Sequence, residues 1–142
     1  MLVKLMKSIV ALTLLVTTAA TPTFAATKTS SITVKFVSAE LIENNSVGNE
    51  WETEGFVNNK ALSEGMSVTL KLKTTDSLKI KVTASELDKI PDIGSANLTV
   101  KASTISKKTT KSLKVIVKEN RGRYSGNTAE WKFTFEISKA SS

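Results

Sequence analysis

The segment WKFTFEI at residues 131–137 decides the fold of this chain. Large apolar side chains stand at every second position of it, and the positions between them hold Lys, Thr and Glu. Because successive side chains of a β-strand point to opposite faces, this alternation predicts a strand with one apolar and one polar face. We expect Trp131, Phe133 and Phe135 to lie in a core.

The same alternation recurs along most of the chain. It is found at residues 32–36, 68–72, 78–82, 98–102 and 113–117, and a weaker strand is predicted at 51–57. Turn-forming residues separate these segments. One polar face per strand is typical of antiparallel sheets packed by their apolar faces. The sequence therefore predicts an all-β fold, an antiparallel β-sandwich of seven or eight strands, with a small barrel as the alternative.

The first predicted strand changes phase along its length. Its apolar residues are first Ile32, Val34 and Phe36, and then Val37, Ala39 and Leu41. A slip of one residue sends every later side chain to the opposite face of a sheet. We therefore predict a β-bulge near Phe36 and Val37, where one extra residue is accommodated.

Residues 1–25 have the layout of a secretory signal peptide. Two lysines precede an apolar run at residues 9–16, and small residues stand before a cleavage site after Ala25. The run is too short for a permanent membrane-spanning helix. We predict a signal-peptide helix in residues 1–25, and one secreted or extracytoplasmic β-sandwich domain at residues 26–142.

The composition excludes several classes of chemistry. The chain has no cysteine and no histidine. Disulfides, zinc–thiolate sites and thiol nucleophiles are therefore impossible, and the commonest general base is missing. The serines have no histidine to activate them, and a glycosidase-type carboxylate pair needs a cleft that a domain of this size rarely offers. We expect no enzyme.

The charge of the chain favours anionic partners. The formal net charge is +7, and it falls by two when the two lysines of the signal peptide are removed. A basic surface outside the cell suits anionic lipid or a cell-wall polymer, although solubility alone is the simpler explanation. A basic stripe on the predicted strand at 113–117 and the turn before it has the same two explanations.

Nucleic acid is not expected as a partner, because the lysines are dispersed and few aromatic side chains could stack on bases. We expect a monomer.

An acidic segment joins two of the predicted strands. It places Glu86, Asp88 and Asp92 within seven residues of an otherwise basic chain. Oxygen ligands at alternating positions suit a hard cation such as calcium. The alternative is one helical turn that is capped by Ser85 and ended by Pro91, with acidic residues favoured at its N-terminus.

This segment resembles one loop of the C2 domains, eight-stranded sandwiches that present acidic loops at one end. Both have an acid, any residue, a second acid, and later an acid followed by Ile-Gly. An earlier stretch of the chain is similar to the family pattern in its order of Leu41, Asn45, Gly48, Glu50 and Phe56-Val57. The resemblance implies calcium as a cofactor, and the ligands it implies are Asn45, Glu50, Glu86, Asp88 and Asp92.

A long polar loop at residues 119–128 is the second candidate site. It is longer than a tight hairpin and holds both arginines of the mature chain and its only tyrosine. The ligand-binding candidates in it are Arg121, Arg123, Tyr124 and Asn127. Guanidinium groups could bind phosphate or carboxylate through two hydrogen bonds. Alternatively, the arginines pair with Glu119 and nearby acids, which would neutralise the acidic segment without a metal.

These features together predict a secreted binding module that recognises a ligand through its loops with the assistance of calcium. Two other classes of protein stay open: a secreted antibacterial or membrane-active effector, and a structural component of an envelope or matrix. Calcium dependence, growth inhibition of related cells, and spontaneous assembly are the observations that would distinguish the three.

Overall fold

The computed structural model describes residues 19–140. Most of the predicted signal peptide lies outside the described residues, so its helix and the cleavage after Ala25 stay predictions. Residues 19–28 are exposed and belong to no helix or strand. Within the described range, no helix is long and apolar enough to cross a membrane.

Eight strands form two antiparallel sheets. The strands are β1 (Thr29–Asn44), β2 (Trp51–Val57), β3 (Lys60–Leu62), β4 (Ser67–Lys73), β5 (Ser77–Glu86), β6 (Asp92–Lys101), β7 (Thr109–Lys118) and β8 (Thr128–Lys139). Sheet A has the order β4-β1-β8-β7, and sheet B has the order β3-β2-β5-β6. Short 3-10 turns at Ala102–Thr104 and Gly122–Tyr124 are the only helical elements among the described residues. The predicted antiparallel sandwich is confirmed.

The core lies between the apolar faces of the two sheets. Trp131, Phe133 and Phe135 on β8 are buried as predicted, and the ring of Phe36 on β1 stacks on the last two. The ring centroids of Phe36 and Phe135 are 4.8 Å apart. Because β8 is an inner strand of sheet A, its alternating aromatic residues reach the centre of the core.

The predicted β-bulge in β1 is confirmed. The register of β1 against β8 shifts between Phe36 and Ser38, so that Val37 is the extra residue. The backbone at Phe36 bonds to the β3–β4 connection: its N–H donates to the carbonyl of Met66 at 3.0 Å, and its carbonyl accepts from the N–H of Gly65 at 2.7 Å. A second shift, between Leu41 and Glu43, has no counterpart in the sequence prediction.

Three loops leave the sandwich at the same end. Loop I (residues 45–50) joins β1 to β2, loop II (residues 87–91) joins β5 to β6, and loop III (residues 119–127) joins β7 to β8. The strand ends that carry them lie opposite one another in the sheets, since Asn44 pairs with Ala129 and Trp51 pairs with Glu86. We call this end of the molecule the loop end.

Candidate functional site at the loop end

The three loops surround one open cleft of about 410 Å³. Its lining residues are Ser46, Val47, Gly48 and Asn49 from loop I, Asp88 from loop II, and Glu119 and Tyr124 from loop III. Each of the three loops contributes at least one polar side chain. The cleft is therefore a product of the whole loop end and not of any single loop.

Loop I is held in a compact turn by the side chain of Asn44. The Nδ2 of Asn44 donates to the carbonyl of Gly48 at 2.6 Å, and its Oδ1 accepts from the N–H of Val47 at 3.0 Å. The side chain of Val47 is buried in the core. These contacts fix the loop against the sandwich, so its wall of the cleft is preformed.

The carboxyl group of Glu86 lies directly beneath loop I. Glu86 is the last residue of β5 and only 3% exposed. A Cβ atom at Gly48 would overlap Oε1 of Glu86, and Gly48 has a φ of +125°, which disfavours any other residue. Oε2 of Glu86 is buried without a hydrogen-bond partner in the protein.

Burial raises the pKa of Glu86 above its ordinary value of 4.5, and the negative charge of Asp88 raises it further. The backbone of Glu50 lowers the pKa in part through a hydrogen bond, whereas the charges of Glu119 and Glu50 add to the rise. The loop end thus brings several carboxylates near one buried carboxyl group in a chain that is basic as a whole. Such a place favours the protonated form of Glu86 or a bound cation.

A pair of tryptophans lies at this end of the core. Trp51 is the cross-strand neighbour of Glu86, and its ring meets that of Trp131 edge to face at a centroid distance of 5.4 Å. The indole N–H groups of both tryptophans are buried and have no partner in the protein. Buried polar atoms without partners are rare in native proteins, and three of them at one end of the core mark it as unusual.

Asp92 and Glu119 have different roles from those expected. Oδ1 of Asp92 accepts hydrogen bonds from Nδ2 and the backbone N–H of Asn120, at 2.8 and 3.3 Å, which tie loop III to the start of β6. Glu119 is 8% exposed, lines the cleft, and accepts from the N–H of Arg121 at 3.1 Å. From the sequence, Glu119 is expected only as a partner of the loop III arginines.

A sequence signal for Glu86 and Glu119 did exist. Glu86 continues the inward phase of Leu78, Ile80, Val82 and Ala84, and Glu119 continues that of Leu113, Val115 and Val117. An acidic residue that occupies an inward-facing position at the end of a strand lies at the edge of the core. The sequence analysis placed Glu86 and Asp92 in a segment between two strands, whereas β5 extends to Glu86 and β6 begins at Asp92.

The five implied calcium ligands are not all brought together. Asp88 lines the cleft, and Glu86 lies beneath it, but Asn45 and Glu50 are exposed and Asp92 is engaged by Asn120. Among residues 19–140, no three acidic side chains are close enough to form a metal site by themselves. The alternative of one helical turn after Ser85 is not found, since loop II contains no helix.

Of the candidate residues Arg121, Arg123, Tyr124 and Asn127 of loop III, only Tyr124 lines the cleft. The guanidinium carbon of Arg123 is 5.7 Å from the centroid of the Tyr124 ring. The backbone carbonyl of Asn127 accepts from the N–H of Glu119 at 2.9 Å, which closes the base of the loop. In the described part of the chain, ion pairs join Lys108 to Glu136 and Lys114 to Glu130, so neither arginine is paired with an acid.

Among known proteins, no family model matches this chain, and no curated protein matches it either. Its function is therefore inferred from the loop end itself.

Proposed function

We propose that this protein is a secreted C2-like binding module that holds its ligand at the loop end, with a calcium ion in the cleft. The observation that carries the proposal is the joint cleft: three loops from different parts of the chain line it, and two of them supply the carboxylates of Asp88 and Glu119. Long loops on a rigid sandwich are typical places for binding residues.

The groups at the cleft fit the chemistry of calcium. This ion takes six to eight oxygen ligands from carboxylates, amide and backbone carbonyls and water. Asp88, Glu119, Asn49 and Ser46 offer side-chain oxygens on the lining, and the unpartnered Oε2 of Glu86 lies under loop I. Burial and then the charge of Asp88 raise the pKa of Glu86, and a divalent cation would offset both effects by stabilising the ionised carboxylates.

The rim of the cleft suits a phosphate-bearing surface. Leu87 and Ile90 are 43% and 49% exposed, and Lys89 lies between them on loop II. On loop III, Arg123 lies beside the half-exposed ring of Tyr124. Apolar tips next to cationic side chains can enter an interface while the charges meet phosphate groups, which both anionic lipids and wall polymers carry.

Co-sedimentation measures this binding directly. The protein is mixed with phosphatidylglycerol vesicles, phosphatidylcholine vesicles or isolated teichoic acid, each with calcium or with a chelator. We expect calcium-dependent binding to a phosphate-rich anionic probe, and the comparison of vesicles with wall polymer identifies its source.

Variants of the two cleft carboxylates test the site, and a variant of an exposed carboxylate elsewhere is the matched control. Asp88→Asn and Glu119→Gln each remove one carboxylate and should weaken binding about tenfold or more. Glu64→Gln removes an exposed carboxylate on the β3–β4 connection and should leave it unchanged. Equal binding with calcium and with chelator would contradict the proposal.

A further inference from the structure

The outer face of sheet B has a groove around one aromatic side chain. Phe56 lies on β2 between Gly55 and Val57, which are both buried, so its ring is on the solvent side of the sheet. The groove has a volume of about 280 Å³, and Asn59, Lys79, Lys81, Asn97 and Thr99 flank the ring. It lies on the face of the sheet, away from the three loops.

The strand register arranges these side chains in two rows. Phe56 lies opposite Lys81 on β5, and Lys81 lies opposite Asn97 on β6. In the next row, Lys79 lies opposite Thr99. Since neighbouring strands are about 4.8 Å apart, the first row extends about 10 Å across the sheet.

Hydrogen bonds hold the β2–β3 turn, which lies at one end of the groove. The side-chain Oδ1 of Asn58 accepts from the N–H of Lys79 at 2.8 Å, and the N–H of Asn58 donates to the carbonyl of Lys79 at 2.8 Å. The β2–β3 turn is thereby fixed to β5, with both Asn58 and Asn59 at positive φ. A preformed surface of this kind lowers the cost of ordering on binding.

The groove is cationic. Neither Lys79 nor Lys81 takes part in an ion pair, because the two ion pairs in residues 19–140 are both on the side of sheet A. No acid is among the lining residues of the groove. The acids nearest to its lysines are Glu54 on β2, which lies diagonal to Lys81 and accepts a hydrogen bond from the hydroxyl of Thr83, and Asp76, which lines an adjoining pocket together with Lys79. Two lysines without an ion pair, in a groove that no acid lines, therefore favour a negatively charged ligand.

We infer that this groove binds an acidic polysaccharide, whose sugar ring packs on Phe56 while its carboxylate groups meet Lys79 and Lys81. A few polar groups around an aromatic surface are typical of sites that fix the orientation of a small ring. Asn97 and Thr99 add donors and acceptors for hydroxyl groups. A peptide strand is a poorer occupant, because strand addition requires a free sheet edge, whereas Phe56 lies on β2, which is paired on both sides.

Affinity electrophoresis with polygalacturonate tests this inference, and its fully methyl-esterified form is the matched uncharged probe. The runs contain a chelator, so that calcium at the loop end takes no part. We expect the wild type to be retarded by polygalacturonate and not by the ester, and the retardation to weaken as salt is added. Asp88→Asn should leave it unchanged, which separates this site from the proposed function.

Four variants complete the test. Phe56→Ala and Phe56→Leu should each weaken binding about tenfold, and the leucine variant keeps an apolar side chain should the alanine variant fail to fold. Lys81→Gln should weaken binding as well, whereas Lys71→Gln, an exposed lysine on sheet A, should not. Equal retardation by the uncharged ester would show that the carboxylate groups take no part in binding. Equal effects of Lys71→Gln and Lys81→Gln would show only diffuse charge attraction. Either result would overturn the inference, as would unchanged binding of both Phe56 variants.

Discussion

At the scale of the residue, the proton on Glu86 should govern the pH dependence of stability at the loop end. The pKa of Glu86 is raised in the folded protein, so the folded state holds this proton more tightly than the unfolded chain does. The resulting stabilisation is fully present below the ordinary pKa of 4.5 and is lost as the pH rises through the folded pKa.

Glu86→Gln removes this dependence. At neutral pH the variant should be more stable than the wild type by about 2 kcal/mol in the absence of calcium, because it no longer buries a charged group whose Oε2 has no hydrogen-bond partner. The difference should shrink as the pH falls toward 4.5. Denaturant titrations of both proteins across this range measure it, and a difference that stays constant with pH would contradict the role given to Glu86.

Gly48 is the residue that lets loop I lie on Glu86. Gly48→Ala should lower the free energy of unfolding by about 1–3 kcal/mol, since it combines an unfavourable φ with an overlap between the new Cβ and the carboxyl group. In a Glu86→Ala background the overlap is gone, so the same change should cost less. Thermal unfolding of the four proteins in this cycle measures both contributions, and equal costs in the two backgrounds would mean that only the backbone is strained.

Residue-level roles were harder to predict than strands, for a physical reason. Glu86 and Asp88 were expected together at the site because they are close in the sequence, and both do lie at the loop end. Asp92 instead bonds to Asn120, and Glu119 joins the cleft, through contacts between residues 28 or more positions apart. No local pattern contains the pairing of β6 with β5 or the position of loop III, so these roles require the fold.

At the scale of the element, β8 is the strand that organises the core. Phe133 is fully buried on this inner strand and its ring stacks on that of Phe36. Phe133→Ala should therefore lower the free energy of unfolding by about 3–5 kcal/mol. Its neighbour Lys132 is exposed on the other face, so Lys132→Ala should change stability by no more than about 0.5 kcal/mol.

Denaturant titration measures both changes. A loss below about 1 kcal/mol for Phe133→Ala would contradict the packing of this core.

The strands themselves were largely predictable, because an alternation of apolar and polar residues is a local property of the sequence and does not depend on the tertiary arrangement. The bulge at Val37 could also be predicted, since the one-residue shift in the apolar–polar alternation is visible in the local sequence. The short strand β3 and the second bulge were not, because neither changes the apolar phase over enough residues.

At the scale of the whole molecule, charge and shape divide the surface into distinct regions. The loop end gathers carboxylates around a cleft, whereas the outer face of sheet B carries unpaired lysines around Phe56. A basic protein with an acidic cleft can therefore meet a cation and an anionic partner at different places. The proposals for the two regions are independent, and each has a test that leaves the other unchanged.

Export of the protein is a prediction about the whole chain. Residues 1–25 should be removed on secretion, because they combine basic residues, an apolar run and a cleavage site after Ala25. N-terminal sequencing of protein recovered from the culture medium should begin at Ala26. Secreted protein that retains Met1 would rule out the signal peptide.

Calorimetric titration of the purified protein with calcium chloride tests the central claim most directly. We predict a binding isotherm that is abolished or strongly weakened by Asp88→Asn and Glu119→Gln, unchanged in Glu64→Gln, and accompanied by a rise in melting temperature of the wild type. Arg123→Ala should not remove it, since Arg123 makes no ion pair with the acids of the loop end. No heat of binding, together with the same melting curve in millimolar calcium and in chelator, would contradict a calcium-assisted site at the loop end.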